Sequence, residues 1–320
     1  MILQILLLLL GLMMVVGGAN FLVEGSSSAA RKFGVSEFVI GLTIVGFGTS
    51  LPELVVSVTG ALAGNSDIAI GNVVGSNIFN VLFILALSSI FRPIDISRNN
   101  FYRDIPITIL VTFILIVAGM SFTFFGLGAE DGLSRLEGGV FVGLFLLYVI
   151  YSFSTDKKDA EQENPEKQPM PLWQAILMIV VGLVGLIFGG RFFVNSAVEI
   201  ARFAGVSDKF IAITVLAMGT SLPELATSIV AIAKKRGQMA LGNILGSNVF
   251  NILLILGTSA LISPMSFARI NFVDIAALGL SAILIWTSVY TGKRNKIDRF
   301  DGILMLLAFA AYMVWLFIKL

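Results

Sequence analysis

Cysteine and histidine are both absent from this sequence of 320 residues. Without cysteine the chain has no disulfide and no thiolate for a metal, and without histidine it lacks the usual general base at neutral pH. Zinc sites of the common ligand types and His-based acid–base catalysis are therefore excluded. Because the remaining residues show no nucleophile–base pair, we expect a protein that is not an enzyme and has no resident cofactor.

Charged residues are also scarce. They make up 13% of the chain, whereas 57% of the residues are hydrophobic and the mean hydropathy is +0.96. A soluble domain averages about 25% charged residues, and a helix needs about 20 apolar residues to cross a bilayer. A net charge of +1 gives no indication of nucleic-acid binding. The composition therefore predicts a multi-pass membrane protein whose surroundings are the lipid bilayer.

Apolar runs between charged loops predict ten transmembrane helices. Most Lys and Arg residues fall in loops on one side, including the Lys234-Lys235-Arg236 turn. The positive-inside rule places that side in the cytoplasm and both termini outside the cell membrane. The first run lacks the basic region of a signal peptide, so we interpret it as a retained helix. The predicted spans are approximately residues 2–30, 37–62, 68–91, 104–123, 136–153, 172–201, 209–233, 239–262, 271–290 and 300–319.

An internal repeat relates the two parts of the chain with an offset of 171 residues, since 224 − 53 = 171. Residues 34–93 align with 205–264 without a gap, and roughly four in ten positions are identical. A charged linker at 154–171 separates halves at 1–153 and 172–320. Because each half holds an odd number of helices, the sequence predicts an all-α transmembrane fold of two inverted-topology five-helix repeats, an architecture of secondary transporters.

Two polar clusters interrupt the apolar helices of each copy. The first is Gly-Thr-Ser-Leu-Pro-Glu at 48–53 and 219–224, and the second is Gly-Asn-x-x-Gly-Ser-Asn-x-Phe-Asn at 71–80 and 242–251. A carboxylate near the bilayer centre costs at least about 2.5–3.5 kcal/mol, so we predict that Glu53 and Glu224 face a polar interior and bind a cation. Oxygen ligands without nitrogen or sulfur select hard ions such as Ca²⁺ and Na⁺.

Neighbouring oxygens extend the predicted cation site. Pro52 and Pro223 have no N–H, so each should break its helix and expose carbonyls of the preceding turn, including the threonine carbonyl. Serine hydroxyls of the hexapeptide and a Ser/Asn pair spaced i, i+4 in the second cluster add further oxygens. Other asparagines are expected to form interhelical hydrogen bonds or to act as helix-end groups. The threonines are Thr49 and Thr220, and the hexapeptide serines are Ser50 and Ser221. The Ser/Asn pairs are Ser76 with Asn80 and Ser247 with Asn251. The other asparagines are Asn72, Asn77, Asn243 and Asn248.

Two expectations concern the first and sixth predicted helices. Their glycines should give smooth faces for packing, and these faces could also allow the pair to slide against the other helices. Glu24, near the inner end of the first helix, has Asn195 as its counterpart, so we expect it to play an interfacial role.

The duplicated Gly-Thr-Ser-Leu-Pro-Glu, followed by Gly-Ser-Asn-x-Phe-Asn, resembles the alpha repeats of the calcium/cation antiporter superfamily, most closely the prokaryotic sodium/calcium exchangers. The resemblance covers nearly the whole chain. It implies exchange of Na⁺ for Ca²⁺ by alternating access, through one central site with four ion positions. It also implies ligands: Glu53 and Glu224 with the Thr49 and Thr220 carbonyls for Ca²⁺, and the same glutamates with Ser50, Ser221, Ser76, Ser247 and carbonyls near Gly46 and Ala217 for Na⁺. Separately, we expect the chain to act as a monomer.

The asparagines at 80 and 251 bear on the coupled ions. Potassium-dependent relatives usually carry Asp in the second half, so the resemblance points to sodium without potassium. With two carboxylates the empty site has a charge near −2, which one Ca²⁺ neutralises. The family stoichiometry of three Na⁺ per Ca²⁺ leaves +1 and makes exchange electrogenic.

Other functions have weaker support in the sequence. A proton/calcium antiporter is the nearest alternative, but that branch carries a Gly-Asn-x-x-Glu motif at the glutamate position, which is absent here. A channel needs a continuous pore, whereas two inverted half-sites favour alternating access. A membrane scaffold would not need carboxylates at membrane depth.

Overall fold

The computed structural model describes residues 1–126, 130–155, 169–206, 217–268, 270–291 and 295–319. Within these residues the chain is helical apart from loops and four two-residue strands. The α-helices are α1 Ile2–Phe33, α2 Glu37–Ile40, α3 Gly46–Thr49, α4 Leu51–Leu62, α5 Ser66–Phe79, α6 Ala86–Phe91, α7 Ile105–Gly119, α8 Ser121–Phe125, α9 Arg135–Thr155, α10 Leu172–Phe203, α11 Ala217–Gly219, α12 Leu222–Ala233, α13 Gly237–Val249, α14 Gly257–Ile262, α15 Phe272–Ser288 and α16 Arg299–Lys319. Segments of π-helix are Gly41–Val45, Asn80–Leu85, Asn100–Asp104 and Phe250–Leu256.

The helices confirm a multi-pass membrane protein. Among the described residues, seven continuous helical stretches are long and apolar enough to cross a bilayer, or eight if the bent pair Glu37–Thr49 and Leu51–Leu62 is one span. Leu222–Ala233 and Phe272–Ser288 are shorter apolar helices. The count of ten spans and their inverted arrangement remain predictions. The start of the predicted span 209–233 and most of the linker 154–171 lie outside the described residues.

Local capping explains where the first helices begin and end. Gly34 adopts a left-handed conformation with φ 63° and its N–H bonds the carbonyl of Ala30, which ends α1. Helix α1 therefore continues past the predicted end at residue 30 to Phe33. The next helix begins after Ser36, whose side chain accepts a hydrogen bond from the N–H of Val39 at 3.2 Å.

The chain divides into two compact units. The first unit consists of residues 1–52 and 152–243, and the second consists of residues 53–151 and 244–320. Each unit takes segments from both halves of the sequence repeat. The halves 1–153 and 172–320 are therefore a division by sequence, and the prediction about them stays untested.

In the first unit, α1 and α10 pack closely through their glycines. A Cβ at Gly18 would lie 2.7 Å from the carbonyl oxygen of Gly182, and a Cβ at Gly182 would lie 2.6 Å from the backbone nitrogen of Leu22. Real Cβ atoms do not approach backbone this closely, so only glycine permits this spacing. The predicted packing role is confirmed for Gly18 and Gly182, whereas a Cβ at Gly17 or Gly190 would meet no described atom within 4 Å. Sliding of the pair remains a prediction.

A network of charges also lies in the first unit. Lys234 Nζ is 2.7 Å from Glu24 Oε1, and Arg236 pairs with both Glu24 and Glu37. The side chain of Ser27 donates to Glu37 at 2.6 Å. Glu24 thus forms ion pairs with the turn between α12 and α13, a more specific role than the interfacial one expected from sequence.

In the second unit, two short antiparallel strand pairs join loops. Strand β1 (Ile94–Asp95) pairs with β4 (Lys296–Ile297), and β2 (Gly132–Leu133) pairs with β3 (Met265–Ser266). The β1 and β4 loops are both assigned to the inside by their charges, and the β2 and β3 loops are both assigned to the outside. Each pairing therefore agrees with the relative sides that the sequence predicts.

Candidate functional site

Both hexapeptides interrupt their helices. Helices Glu37–Thr49 and Leu51–Leu62 meet at an angle of 49°, and Ser50 between them has φ −84° and ψ 7°. Ser221 has nearly the same conformation, φ −88° and ψ 9°, before α12 begins at Leu222. Proline fits the first turn of a helix, where its missing N–H has no intrahelical partner, but not a helix interior. The predicted breaks are confirmed, and each lies at the serine two residues before the proline.

The two hexapeptide copies meet inside the first unit. Ser50 Oγ, from the first copy, donates a hydrogen bond to Glu224 Oε1, from the second copy, at 2.9 Å. Ser50 is 2% exposed and Glu224 is 1% exposed. A hydrogen bond to a buried carboxylate is among the stronger kinds in proteins. The repeat that the sequence revealed therefore places oxygens from both copies around one carboxylate.

An asparagine holds the backbone at Glu224. Asn243 Nδ2 donates to the carbonyl oxygen of Glu224 at 3.3 Å and to Ser228 Oγ at 3.0 Å. Its Oδ1 accepts from Thr49 Oγ1 at 3.2 Å. The amide of Asn243 thus connects α13 to the glutamate helix and to the first hexapeptide.

The second unit repeats this geometry at the other glutamate. Asn72 Nδ2 donates to the carbonyl oxygen of Glu53 at 3.2 Å and to Ser57 Oγ at 3.0 Å. The predicted interhelical role of Asn72 and Asn243 is confirmed. The two serine acceptors, Ser57 and Ser228, were not among the predicted site residues. The signal was available, because both stand four residues after a motif glutamate and are identical in the two copies.

Four buried asparagines form an amide cluster in the second unit. Asn80 Nδ2 donates to Asn248 Oδ1 at 3.0 Å, and Asn251 Nδ2 donates to Asn77 Oδ1 at 2.9 Å. Asn77 Nδ2 donates to the backbone carbonyl of Asn248 at 3.3 Å. Within the described residues, the Oδ1 atoms of Asn80 and Asn251 are buried and have no hydrogen-bond partner.

Both predicted asparagine ligands lie in π-helix. Asn80 is the first residue of the segment Asn80–Leu85, and Asn251 is the second residue of Phe250–Leu256. Short π-helical segments inside α-helices are frequent at functional sites. The i, i+4 spacing in the sequence predicted a shared α-helical face and gave no signal for the π-helix.

The remaining predicted ligands are distributed between the units. Ser76 and Ser247 are 2% and 0% exposed and belong to the second unit. In the first unit, Gly46 begins α3 and is buried, Thr220 and Ser221 lie at the second break, and Ala217 begins α11. The side chain of Ala217 lies outside the described residues. The structure therefore joins Thr49 and Ser50 with Glu224, and Asn80 with Asn251 through their amide neighbours.

The chemistry of these groups suits a hard cation. In the part of the chain that the structure describes, no three acidic, His or Cys side chains gather into a conventional metal cluster. The oxygens are instead those of one glutamate in each unit together with hydroxyl and amide groups. Buried amide oxygens with no donor nearby are costly unless a cation or water satisfies them.

Comparisons with known proteins agree with this chemistry. The chain matches the family described as "Sodium/calcium exchanger protein" over residues 3–154 and 174–318. It is 37% identical to CaxA of Alkalimonas amylolytica in an alignment of 329 residues that covers 99% of each chain. It is 32% identical to the sodium/calcium exchanger MaX1 of Methanosarcina acetivorans in an alignment of 352 residues that covers 98% of each chain. A solved structure of the sodium-calcium exchanger NCX_Mj matches with a TM-score of 0.84 and 33% identity, over 98% of this chain and 99% of that one.

Proposed function

Since this chain belongs to the sodium/calcium exchanger family, we propose that it exchanges Na⁺ for Ca²⁺ across the cell membrane as a secondary transporter. Membership of this family and the apolar membrane helices both favour ion exchange over a soluble activity.

The contact between Ser50 and Glu224 carries the proposal. It joins the two copies of the hexapeptide at 2.9 Å in a buried setting. A buried carboxylate needs a positive partner or strong hydrogen bonds, and a transported cation can supply the first while the serine supplies the second. An exchanger needs this balance, because the carboxylate has to remain tolerable when the ion leaves.

Glu53 and Glu224 provide the negative charge in this proposal. Calcium binds both carboxylates with the Thr49 and Thr220 carbonyls, and sodium ions share the carboxylates with neutral oxygens. The sodium ligands are the hydroxyls of Ser50, Ser221, Ser76 and Ser247 and carbonyls near Gly46 and Ala217. The amide oxygens of Asn80 and Asn251 complete the set. Their burial without a hydrogen-bond partner among the described residues supports this role.

Alternating access follows from the inverted repeat. Two copies of one motif in opposite orientations allow the same ions to be reached from either side in turn. Both termini face outward in this arrangement, and the Lys234-Lys235-Arg236 turn faces the cytoplasm. Three Na⁺ per Ca²⁺ then moves one net positive charge per cycle. We expect the monomer to be the working unit.

Radioactive Ca²⁺ uptake into proteoliposomes tests the proposal. The purified protein should take up Ca²⁺ when a Na⁺ gradient is imposed with the pH equal and buffered on both sides. Uptake driven by a pH gradient alone, with no Na⁺ present, would favour the proton/calcium alternative. Currents far above the turnover of a carrier would indicate a channel instead.

A further inference from the structure

The amide cluster in the second unit has a feature that the proposed ion site does not by itself require. The amide nitrogen of each predicted asparagine ligand donates a hydrogen bond to an asparagine oxygen of the opposite repeat. Asn80 donates to Asn248 at 3.0 Å, and Asn251 donates to Asn77 at 2.9 Å. All four residues are at most 4% exposed.

An asparagine amide has two ends of nearly equal shape and opposite chemistry. The carbonyl end can bind a cation, and the NH₂ end repels one. Rotation by 180° about χ2 exchanges the two ends at little steric cost, because this terminal torsion is broad and roughly two-fold. An asparagine ligand therefore serves a cation only if another group fixes its orientation.

We propose that Asn77 and Asn248 are positioning residues that fix the amides of Asn251 and Asn80, so that Oδ1 and not Nδ2 is presented to the bound cation. The acceptor oxygen of each positioning residue receives the NH₂ group. The opposite end of the ligand amide then carries the oxygen that has no donor near it in the described residues.

The positioning amide of Asn77 is itself oriented. Its Nδ2 donates to the backbone carbonyl of Asn248 at 3.3 Å, and this leaves its Oδ1 for Asn251. A backbone carbonyl is only an acceptor, so it determines which end of Asn77 faces it. Orientation thus passes from the backbone to Asn77 and from Asn77 to Asn251.

The duplication provides independent support. The offset of 171 residues relates the contact Asn80–Asn248 to the contact Asn251–Asn77, and the two contacts share no side chain. Both leave the same atom, Oδ1 of the ligand residue, buried and without a hydrogen-bond partner in the described part of the chain. A packing role for Asn77 and Asn248 would not require the ligand amides to have the same orientation in both copies.

This inference rests on the proposed function only in taking Asn80 and Asn251 as cation ligands. Aspartate distinguishes a positioning role from a packing role, because its two carboxylate oxygens are equivalent and need no fixed orientation. Asn77→Ala should therefore weaken Ca²⁺ binding in the native protein. The same substitution should weaken Ca²⁺ binding far less when it is combined with Asn251→Asp.

A double-mutant cycle tests this, with equilibrium Ca²⁺ binding to the purified protein measured by calorimetry. We expect Asn77→Ala to raise the Kd for Ca²⁺ about five- to tenfold in the native background, the effect of losing one fixed hydrogen bond. In the Asn251→Asp background the same substitution should raise Kd by less than about twofold. Ser259→Ala is a control, because Ser259 is a buried residue of α14 that takes part in none of the hydrogen bonds of the amide cluster, and it should leave Kd unchanged.

Each outcome decides the matter. Equal fold-changes in both backgrounds, or no change in either, would overturn the inference, as would a wild-type protein that binds no Ca²⁺. If Asn77→Ala does not fold, Asn248→Ala with Asn80→Asp provides the same cycle in the other copy. Wild-type protein that binds Ca²⁺ but shows no Na⁺-driven uptake refutes the proposed exchange, and the cycle then still judges the amide inference by itself.

Discussion

Replacing Ser50 with alanine should separate sodium binding from calcium binding. The Ser50 hydroxyl donates to Glu224 Oε1 at 2.9 Å, and Ser50 is also a proposed sodium ligand. If Ser50 is a sodium ligand as proposed, the substitution should make sodium bind less tightly. It also removes the hydroxyl donor from the carboxylate of Glu224. This loss destabilises the ion-free state more than the state in which Ca²⁺ neutralises that carboxylate.

The size of the effect follows from the hydrogen bond. A hydrogen bond to a charged group contributes about 1.5–3 kcal/mol, and a factor of ten in affinity corresponds to about 1.4 kcal/mol. Part of this energy is common to the empty and occupied states and cancels. We therefore expect the ratio of half-saturating Na⁺ to half-saturating Ca²⁺ to rise about tenfold, with no rise in the calcium value itself.

The assay is Ca²⁺ uptake by proteoliposomes as a function of each ion. Ser88→Ala is the matched control, because Ser88 is 0% exposed like the site serines but lies in α6, outside both polar clusters. It should leave both half-saturation values unchanged. Equal rises in the sodium and calcium values for Ser50→Ala, or an unchanged ratio, would refute the reasoning.

Three further predictions address charge, positioning and packing. If one net charge moves per cycle, a membrane potential should change the exchange rate, with about 2.3 kcal/mol available per 100 mV; a rate independent of voltage would exclude the three-to-one stoichiometry. Asn72→Ala and Asn243→Ala should raise half-saturating Ca²⁺ by similar factors, because both amides bond the carbonyl of a motif glutamate at 3.2 and 3.3 Å; unequal effects in flux titrations would contradict the shared role. Gly182→Ala should lower both Tm and turnover, since the added Cβ would lie 2.6 Å from a backbone nitrogen. Gly17→Ala should lower neither, because a Cβ there would meet no described atom within 4 Å.

Much of the architecture could be predicted from sequence because the bilayer imposes simple rules. Apolar length identified the helical stretches, and the missing N–H of Pro52 located a break that the structure shows as a bend of 49°. The repeat at an offset of 171 residues indicated that the two hexapeptides would act together. The contact from Ser50 to Glu224 is the direct counterpart of that expectation.

Tertiary contacts account for what the sequence could not show. The residue that accepts from Asn80 lies 168 positions away, and no local pattern specifies such a partner. The π-helix at Asn80–Leu85 changes the register of backbone hydrogen bonds without a Pro or Gly to mark it. The counterpart of Glu24 in the other repeat is the uncharged Asn195, so symmetry gave no indication of the ion pair between Glu24 and Lys234.

The central claim is that the two hexapeptide glutamates bind the exchanged ions, and one measurement tests it most directly. Na⁺-driven Ca²⁺ uptake is compared for wild type, Glu53→Gln and Glu224→Gln, with Ser88→Ala as the folded control. Glutamine keeps the shape of each side chain and removes its charge, so each substitution should reduce uptake to the level of protein-free vesicles while the control remains active. Uptake at the wild-type rate in either glutamine variant would contradict the claim.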